Sequence, residues 1–340
     1  MADKFFNGRV AAKISNDMVG KSLVRVDGVS LVPEFQRDGD GKLLRDENGK
    51  AMVDTTKEIL HFEDDKVTFR VCATLSRSQM KYLLDTDTED SETRVYFNVT
   101  AKEDALRHMK ALNDKTPVTS DMPFSMLMVI SKDDKNYVAD LLDFEKFGYR
   151  KSQYNVNFGR KITDTIVGRV IGRFTYMSLM PTFKFGSDGT MERDAEGKPV
   201  IDTTKPLMET EGTGKDARAR FRTSAELSKQ VASAMFGEDL EEGRYFISAT
   251  AFGFMVDSFN RINDKNPFDN KTRMNFDMFV TKNDKYYNGQ VLGFALCPRN
   301  DKDDEKTGEE IMEKAMNEPV EDTTGTGETT AGEEPIEFPF

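Results

Sequence analysis

Alternation of apolar and polar residues is the main local pattern in this chain, and a period of two residues is typical of half-buried β-strands. The pattern predicts strands over residues 22–36, 66–75, 94–100, 126–130 and 136–144. Short helices separate some of these strands. One is predicted from an N-cap at Ser76 to Leu84, with a counterpart over residues 224–236, and another over residues 102–112.

Two glycine-containing segments predict turns. Asn48-Gly49 lies between short apolar segments at 42–44 and 51–53, which is a strong signal for a hairpin. Residues 38–41 have the Asp and Gly residues of a calcium loop, but the ligand spacing and the terminal Glu of an EF-hand are absent. We interpret this segment as a turn.

The body of the chain contains the same sequence twice. Residues 40–57 and 188–205 are identical at ten of eighteen positions, at an offset of 148. Further along, an offset of 150 relates Asn113-Asp114-Lys115 to Asn263-Asp264-Lys265. These ordered matches predict two whole domains, at residues 1–148 and 149–300, followed by a separate segment over residues 301–340.

The order of the predicted elements indicates a fold class. Each repeat has a long bent strand, a hairpin extension, a strand, a helix, a strand, a helix and two strands. This order is typical of the five-stranded oligonucleotide/oligosaccharide-binding (OB) barrel. We therefore predict a mainly β protein with short helices, built of tandem duplicated OB-like barrel domains plus a disordered acidic C-terminal tail. A generic β-sandwich is the alternative fold.

The net charge of −12 is concentrated at one end of the chain. Residues 301–340 contain fourteen acidic residues and three lysines, so the repeated body is close to neutral. Blocks of like charge are typical of disordered interaction tails. A nearly neutral body can still bind a polyanion if its cations lie on one face.

Several classes of function are disfavoured. Cys72 and Cys297 lie in different repeats, and we interpret them as free thiols in a reducing cytoplasm. With His61 and His108 as the only histidines, no zinc site can be assembled, and no nucleophile–base pair or phosphate loop is visible. We expect no metal, no cofactor and no enzymatic activity. No apolar run approaches the roughly 20 residues of a membrane span, and the amino terminus has no signal-peptide pattern, so we expect a cytoplasmic protein without a membrane partner.

Basic and aromatic residues recur at matched positions of the two repeats. Sequence-tolerant binding of single strands needs both classes, because cations follow the phosphates and aromatic rings stack on bases. The competing interpretation is that paired aromatic residues are core, as we expect for Phe144 and Phe294, and that paired lysines are solvated turns. The candidate nucleic-acid-binding residues are Lys13, Lys21, Arg25, Phe35, Arg94, Tyr96, Lys132, Lys135 and Tyr137, with their counterparts Lys161, Arg169, Arg173, Phe183, Arg244, Phe246, Lys282, Lys285 and Tyr287.

The chain ends in Glu333-Glu334-Pro335-Ile336-Glu337-Phe338-Pro339-Phe340. Apolar side chains at a terminus indicate a bound partner, because termini are normally frayed and polar. An acidic tail with this end resembles that of the single-stranded DNA-binding proteins of bacteria and their phages. The bacterial family ends in acidic residues followed by Ile-Pro-Phe, which Ile336, Pro339 and Phe340 match with two residues intervening, and some phage members end in acidic residues and a terminal Phe. The resemblance covers only the tail. It implies that Ile336, Phe338, Pro339 and Phe340, the apolar tip, dock on replication and repair enzymes.

Together these patterns predict a non-enzymatic, sequence-tolerant single-stranded DNA-binding protein that acts in DNA replication, recombination and repair. We expect it to recruit partner enzymes through the apolar tip and to self-associate on DNA. The divergence of the body suits a phage protein in the cytoplasm of a bacterial host. The alternatives are a virion or scaffold protein built from repeated β domains and an acidic DNA mimic.

Overall fold

The computed structural model describes residues 6–134, 136–147, 156–187, 190–237, 239–269, 271–283 and 286–297. Within these ranges the chain is mainly β, as predicted. The first elements are β1 (Gly8–Lys13), β2 (Ser22–Ser30), β3 (His61–Phe62), β4 (Lys66–Ser76), α1 (Arg77–Leu84), β5 (Glu92–Lys102), α2 (Glu103–Lys115), β6 (Pro123–Asp133) and β7 (Asn136–Lys146). The later elements are β8 (Val156–Lys161), β9 (Val170–Ser178), β10 (Met208–Glu211), β11 (Arg218–Leu227), α3 (Lys229–Phe236), β12 (Gly243–Phe252), α4 (Phe254–Lys265), β13 (Arg273–Asn283) and β14 (Tyr286–Leu296).

Serine caps set the starts of two helices. The Ser76 hydroxyl accepts a hydrogen bond from the backbone N–H of Gln79, whose side chain accepts one from the N–H of Ser76, so α1 begins where the sequence predicts. In the second repeat Ser228 caps α3 by accepting a bond from the N–H of Val231. The predicted counterpart over residues 224–236 therefore began too early, because residues 224–227 belong to β11.

The chain forms two compact units. The first unit runs from Ala11 to Arg169, and its seven-stranded sheet has the order β3-β4-β5-β7-β6-β2-β8. The second unit joins the residues up to Val10 with the chain from Val170 onward, and its sheet has the order β10-β11-β12-β14-β13-β9-β1. Corresponding strands of the two repeats occupy the same places in the two sheets, except that β1 and β8 have changed places.

The exchange of β1 and β8 is visible in the backbone pairing. Although β8 belongs to the second sequence repeat, it pairs antiparallel with β2 of the first, in register Ser22↔Lys161. Its counterpart β1 lies beside β9 in the other sheet. The compact units therefore have different boundaries from the predicted domains at 1–148 and 149–300. Local sequence cannot distinguish the two arrangements, since β1 and β8 are equivalent strands that fit equivalent edges.

Each unit has its own apolar core. In the first unit the apolar stripe of α2 places Ala105 and Met109 in the core, against strands that contribute residues such as Phe97. In the second unit the rings of Phe259 and Phe294 stack with centroids 4.0 Å apart. The expectation that Phe294 is core is confirmed, and Phe144 is partly buried against the core of the first unit.

Both sheets are mixed, and no barrel is closed among the described strands. β5 pairs parallel with β7, and β12 pairs parallel with β14. β2 reaches β4 only through the isolated bridge Leu31↔Val71 and a 2.7 Å hydrogen bond from the N–H of Val32 to the carbonyl of Arg70. The predicted OB-like barrels are therefore not closed by a continuous ladder, and in the first unit the first and second long strands meet at this bridge.

An arm follows the long bent strand in each unit, at residues 34–54 in the first and at the described residues 182–187 and 190–202 in the second. In the first arm three segments bond to one another in turn: Gln36 N–H to Met52, Leu44 N–H to Gln36, and Met52 N–H to Leu44, each to a backbone carbonyl at 2.9 Å. The expected turn is present, with Gly49 at φ 75° and its N–H bonded to Asp46. The predicted two-segment hairpin is therefore part of a three-segment arm.

Candidate nucleic-acid interface

The outer side of β4 and β5 in the first unit combines cations with an exposed ring. Residues along β4 alternate between half-buried and buried positions, so that Val67, Phe69 and Val71 enter the core and the intervening side chains face outward. The strand β5 alternates in the same way. We define the first face as the outward residues Lys66, Thr68, Arg70, Cys72, Arg94, Tyr96, Asn98, Thr100 and Lys102.

Register brings the polar and aromatic groups of the first face together. Arg70 lies opposite Asn98, and Cys72 lies opposite Tyr96. The guanidinium carbon of Arg70 is 5.6 Å from the centroid of the Tyr96 ring, within the range of a cation–π interaction. Tyr96 keeps 46% of its surface exposed. One side of this ring is thus available to stack on another flat group.

The Cys72 thiol and the Tyr96 hydroxyl, which lie beside Arg70 and Arg94, are neutral at pH 7. Burial raises the pKa of the Cys72 thiol, against the opposing effects of the Tyr96 hydroxyl and of Arg94 and Arg70. The pKa of Tyr96 is also raised, first by Cys72 and then by burial. Because both pKa values already lie above neutrality in unfolded chains, the raised values keep both groups protonated. Neither group offsets the positive charge of the first face.

The second unit carries a matching outer side on β11 and β12. Along β11 the residues Ala219, Phe221 and Thr223 are buried and the alternate side chains face outward. Phe246 on β12 is 58% exposed and lies opposite Ser224. We define the second face as Arg218, Arg220, Arg222, Ser224, Glu226, Arg244, Phe246, Ser248, Thr250 and Phe252.

Ion pairs on the second face are solvent-exposed. Arg244 Nε contacts Glu226 Oε1 at 2.7 Å, and Arg220 contacts Glu211 at 2.9 Å. The guanidinium carbon of Arg218 lies 5.7 Å from the centroid of Phe252. Exposed pairs contribute only about 0–1 kcal/mol, so a phosphate group can replace either carboxylate at little cost.

Four of the residues predicted from the sequence lie on these two faces. Arg94 and Tyr96 belong to the first face, and Arg244 and Phe246 occupy the equivalent positions of the second. All four are exposed. Their matched recurrence in the sequence therefore corresponds to a matched, outward placement in the structure.

Arg25 and Arg173 have a different environment from the predicted one. Arg25 is 0% exposed and lies 3.6 Å from Asp143, while Arg173 is 2% exposed and donates a 3.0 Å hydrogen bond to Asp277. Buried cations need such carboxylates, because desolvation of an unpaired charge is costly. The expectation that these arginines face a nucleic acid does not fit their enclosed positions. The strand β2 is buried along nearly its whole length, so the apolar neighbours Val24 and Val26 of Arg25 marked a buried position and not an outward one.

Three predicted lysines lie together in a cleft of the first unit, away from the first face. Lys21, Lys132 and Lys161 line this cleft, whose volume is about 330 Å³, together with Asp85 and Asp134. Lys161 Nζ is 2.6 Å from Asp85, and Lys21 Nζ is 3.3 Å from Asp140. Two of the three lysines are therefore paired with carboxylates, as Arg220 and Arg244 are on the second face.

The remaining predicted residues are dispersed. Tyr137 and Tyr287 are half-buried against the cores, and Lys282 lies 5.9 Å from the centroid of Tyr287. Phe35 and Phe183 are half-buried at the bases of the arms, in bridges to Val53 and Ile201. Lys13 is exposed at the end of β1, and Arg169 is half-buried. Lys135, Lys285 and the apolar tip lie outside the described residues.

Several residues of the faces were missed by matching the two repeats. Arg218, Arg220 and Arg222 alternate with Ala219 and Phe221, which is the period-two pattern of a strand with one basic side. Lys66 and Arg70 alternate in the same way with the apolar residues of β4. In each strand the apolar residues of the alternation predicted the strand itself. The polar residues between them were the signal for a basic outer face. This signal was overlooked because equivalent residues of β4 and β11, such as Arg70 and Arg222, are separated by 152 positions, whereas the repeats were matched at offsets of 148 and 150.

Comparisons with known proteins give little further information. No protein-family model matches the chain, and no curated protein does. Among solved structures, the chain is similar to the crystal structure of wild-type single-stranded DNA binding protein from Thermus aquaticus, with 7% sequence identity and a TM-score of 0.19, over 82% of this chain and 94% of that chain. A TM-score this low carries no argument about the fold or the function.

The described part of the chain contains neither a helix that could span a membrane nor a cluster of metal-binding side chains. None of its helices combines the length and the apolar composition that crossing a bilayer requires. Its His, Cys, Asp and Glu side chains do not gather in groups of three or more that could hold a metal ion. The two outer faces are therefore the arrangement with the most definite chemistry in the residues described.

Proposed function

We propose that the protein binds single-stranded DNA, without catalysis and with little dependence on sequence, along the first and second faces. The observation that carries this proposal is the outward placement of cations beside exposed rings on equivalent strand pairs of both units. Cations neutralise phosphates, and each ring can stack on a base for about 1–3 kcal/mol. Every base has a flat face, so this mode of binding tolerates any sequence.

The exposure of the rings supports the proposal. Large aromatic side chains contribute most to stability when they are buried. Tyr96 and Phe246 instead stand on the outer side of their sheets, and both are flanked by arginine at cross-strand or alternate positions. In this setting a ring adds little to the core, but it can replace base–base stacking in an unpaired strand.

We also propose that each unit is a partly open OB barrel. In the first unit the strands β2, β4, β5, β6 and β7 follow one another as the five strands of that fold do, with β5 parallel to β7 and α2 between β5 and β6. The bridge Leu31↔Val71 brings the first of these strands to the second. OB folds bind oligonucleotides on the face of their second and third strands, which here are β4 and β5.

The biological role and the protein partners rest on the sequence resemblance of the tail. We propose that the apolar tip binds enzymes of DNA replication, recombination and repair, in the cytoplasm of a bacterium that carries the protein as part of a phage. Self-association on DNA belongs to the same proposal. Removal of residues 333–340 tests this role: it should abolish recruitment of such enzymes and leave or strengthen the affinity for DNA.

Titration of the full chain with fluorescent oligo-dT tests the binding proposal directly. We expect micromolar or tighter binding at low salt, with a log–log salt slope of about −0.7 for each phosphate neutralised. Duplex DNA of equal length should compete less well, and single-stranded RNA of equal length measures the preference between the two nucleic acids. Absence of any anisotropy or mobility change with oligo-dT at low salt would refute the proposal.

A native thiol reports where the strand lies. Of the two cysteines, Cys297 is buried and Cys72 is half-buried at the centre of the first face. Saturating oligo-dT should slow modification of Cys72 by a thiol reagent, while duplex DNA at the same concentration should not. A Cys72→Ser variant measures the background from Cys297. Binding without any protection of Cys72 would place the strand elsewhere.

A further inference from the structure

A cleft opens at the edge of the first face. It has a volume of about 270 Å³ and lies between the strand pair β4–β5 and the two chain segments that lead into and out of the first arm. This volume is just below the range of about 300–1,000 Å³ that is usual for pockets of drug-sized ligands. The cleft is therefore suited to a single flat ring system. Its lining residues are Val32, Glu34, Ile59, His61, Thr68, Phe69, Arg70, Asn98, Val99 and Thr100.

The lining is divided between apolar and hydrogen-bonding groups. Val32, Ile59 and the strand residues Phe69 and Val99 supply apolar surface. The outward residues of the first face supply hydroxyl, amide and guanidinium groups, and Glu34 supplies a carboxylate. A nucleobase has apolar faces and a polar edge with both donors and acceptors, so this division matches its chemistry.

Arg70 connects the cleft to the proposed path of the strand. Its side chain lies over the Tyr96 ring and also lines the cleft. Its Nε atom is enclosed without a hydrogen-bond partner among the described residues. A base entering the cleft would lie next to the guanidinium group that already flanks the stacking ring.

The equivalent place in the second unit has different chemistry. Arg220 stands at the position of Thr68, as the pairing of β10 with β11 and of β3 with β4 shows, and Glu209 stands at the position of His61. Arg220 is ion-paired with Glu211. Ser248 replaces Asn98 in the cross-strand position. The second unit thus has a long charged side chain where the first unit has a small hydroxyl beside open space.

We propose that the cleft of the first unit takes one unstacked nucleobase of the bound strand. The first unit then holds a base by its edge as well as by stacking, while the second unit follows the phosphates. This inference rests on the proposed binding of single-stranded DNA and deepens it. It predicts one position in the strand at which the identity and presence of the base matter more than at its neighbours.

The test uses short oligo-dT strands in which a single 2-aminopurine is moved one position at a time. With the wild-type protein we expect one position at which fluorescence rises, because the probe leaves its stacked neighbours. An abasic residue at that position should lower the affinity by roughly fivefold or more, the equivalent of one lost base contact. In the variant Thr68→Arg, which copies the second unit, both effects should disappear, and oligo-dT should still bind through the unaltered second face.

A charge-matched variant and the pattern of outcomes separate the two proposals. Thr74→Arg adds the same charge on β4 outside the cleft, so the fluorescence rise and the abasic penalty should both remain. Binding with a uniform 2-aminopurine signal, or a signal that Thr68→Arg leaves intact, would overturn the base cleft but not DNA binding. Failure of the wild-type protein to bind oligo-dT at all would overturn the proposed function itself.

Discussion

The two units share a scaffold and differ on its surface. Strand order, the capped helix after the second long strand and the three-segment arm all recur. The first face has two arginines, two lysines and a tyrosine around a cleft, whereas the second face has four arginines and two phenylalanines with acidic neighbours. Core positions constrain each other through packing, while outward positions are free to specialise. Under the proposed function, we expect the two copies to hold a strand in different ways.

The buried ion pairs show the same principle inside the scaffold. Arg25 and Arg173 are equivalent, but their carboxylates are not: Asp143 lies on β7, and Asp277 lies on β13 directly opposite Arg173. The positions opposite Arg25 and Asp277 are held by Leu127 and Gly293 respectively. In each unit the buried arginine is therefore neutralised by a carboxylate from a different strand. A buried guanidinium group requires a carboxylate nearby, but that carboxylate can come from more than one backbone position.

The exchange of β1 and β8 allows the strongest perturbation of one unit without the other. Deletion of residues 1–13 removes the strand beside β9 and two hydrogen bonds between Asn7 and Glu226, one from the Asn7 N–H to the Glu226 carbonyl and one from the Glu226 N–H to Asn7 Oδ1. We expect the second unit to lose several kcal/mol, at about 0.5–1.5 kcal/mol for each hydrogen bond lost. Hydrogen exchange should accelerate in β9, far along the chain, while β2 stays protected by β8.

A synthetic peptide of residues 1–20 serves as the control for this deletion. Added in excess, it should restore protection to β9 by strand addition. Acceleration in β2 instead of β9 would show that each repeat keeps its own first strand, and the assignment of β1 to the second unit would be wrong.

Neutralising a buried carboxylate is the next largest expected effect. Asp277→Asn leaves Arg173 enclosed without its counter-charge and should cost about 3–5 kcal/mol. Replacing both partners by leucine should recover most of that loss. Asp143→Asn should cost less, because its 3.6 Å separation from Arg25 is longer than a hydrogen bond. Urea unfolding measures all three variants.

An exposed pair gives the matched control for the buried one. Arg107 and Asp104 form an ion pair on α2 with both side chains more than 70% exposed, so Arg107→Ala should change stability by less than about 1 kcal/mol. If Asp277→Asn costs no more than this control, the buried pair does not stabilise the second unit.

These comparisons also show what the sequence can predict. The repeat, the β-rich fold and the Ser76 cap follow from local patterns, since each depends on neighbouring residues. The enclosed positions of Arg25 and Arg173 depend on strands distant in the sequence, and the exchange of β1 and β8 leaves the local pattern unchanged. Tyr96 and Phe246 were found because they recur at the offset of 150, whereas Arg70 and Arg222 recur at an offset of 152 that the matching did not include.

The cations of the two faces should differ in their dependence on salt. Changing Arg218, Arg220 and Arg222 to Ala removes up to three phosphate contacts, so the log–log salt slope should become shallower by about 2. Lys229→Ala is the control. This lysine lies on α3, off the second face, and is paired with Asp239 and Glu241. An unchanged slope in the triple variant would exclude the second face from phosphate binding.

Converting one ring into the other is the mildest change and the most specific. Tyr96→Phe gives the first face the ring of the second, and the stacking surface is preserved, so the affinity for oligo-dT should change by less than twofold if stacking dominates. Tyr96→Ala and Phe246→Ala should each cost about 1–3 kcal/mol.

The variant Tyr96→Phe also removes the hydroxyl that lowers the pKa of Cys72, so thiol modification should require a higher pH than in the wild type. A pH profile of Cys72 modification measures this directly: an unchanged profile together with a large loss of affinity would show that the hydroxyl, and not the ring, contacts the strand.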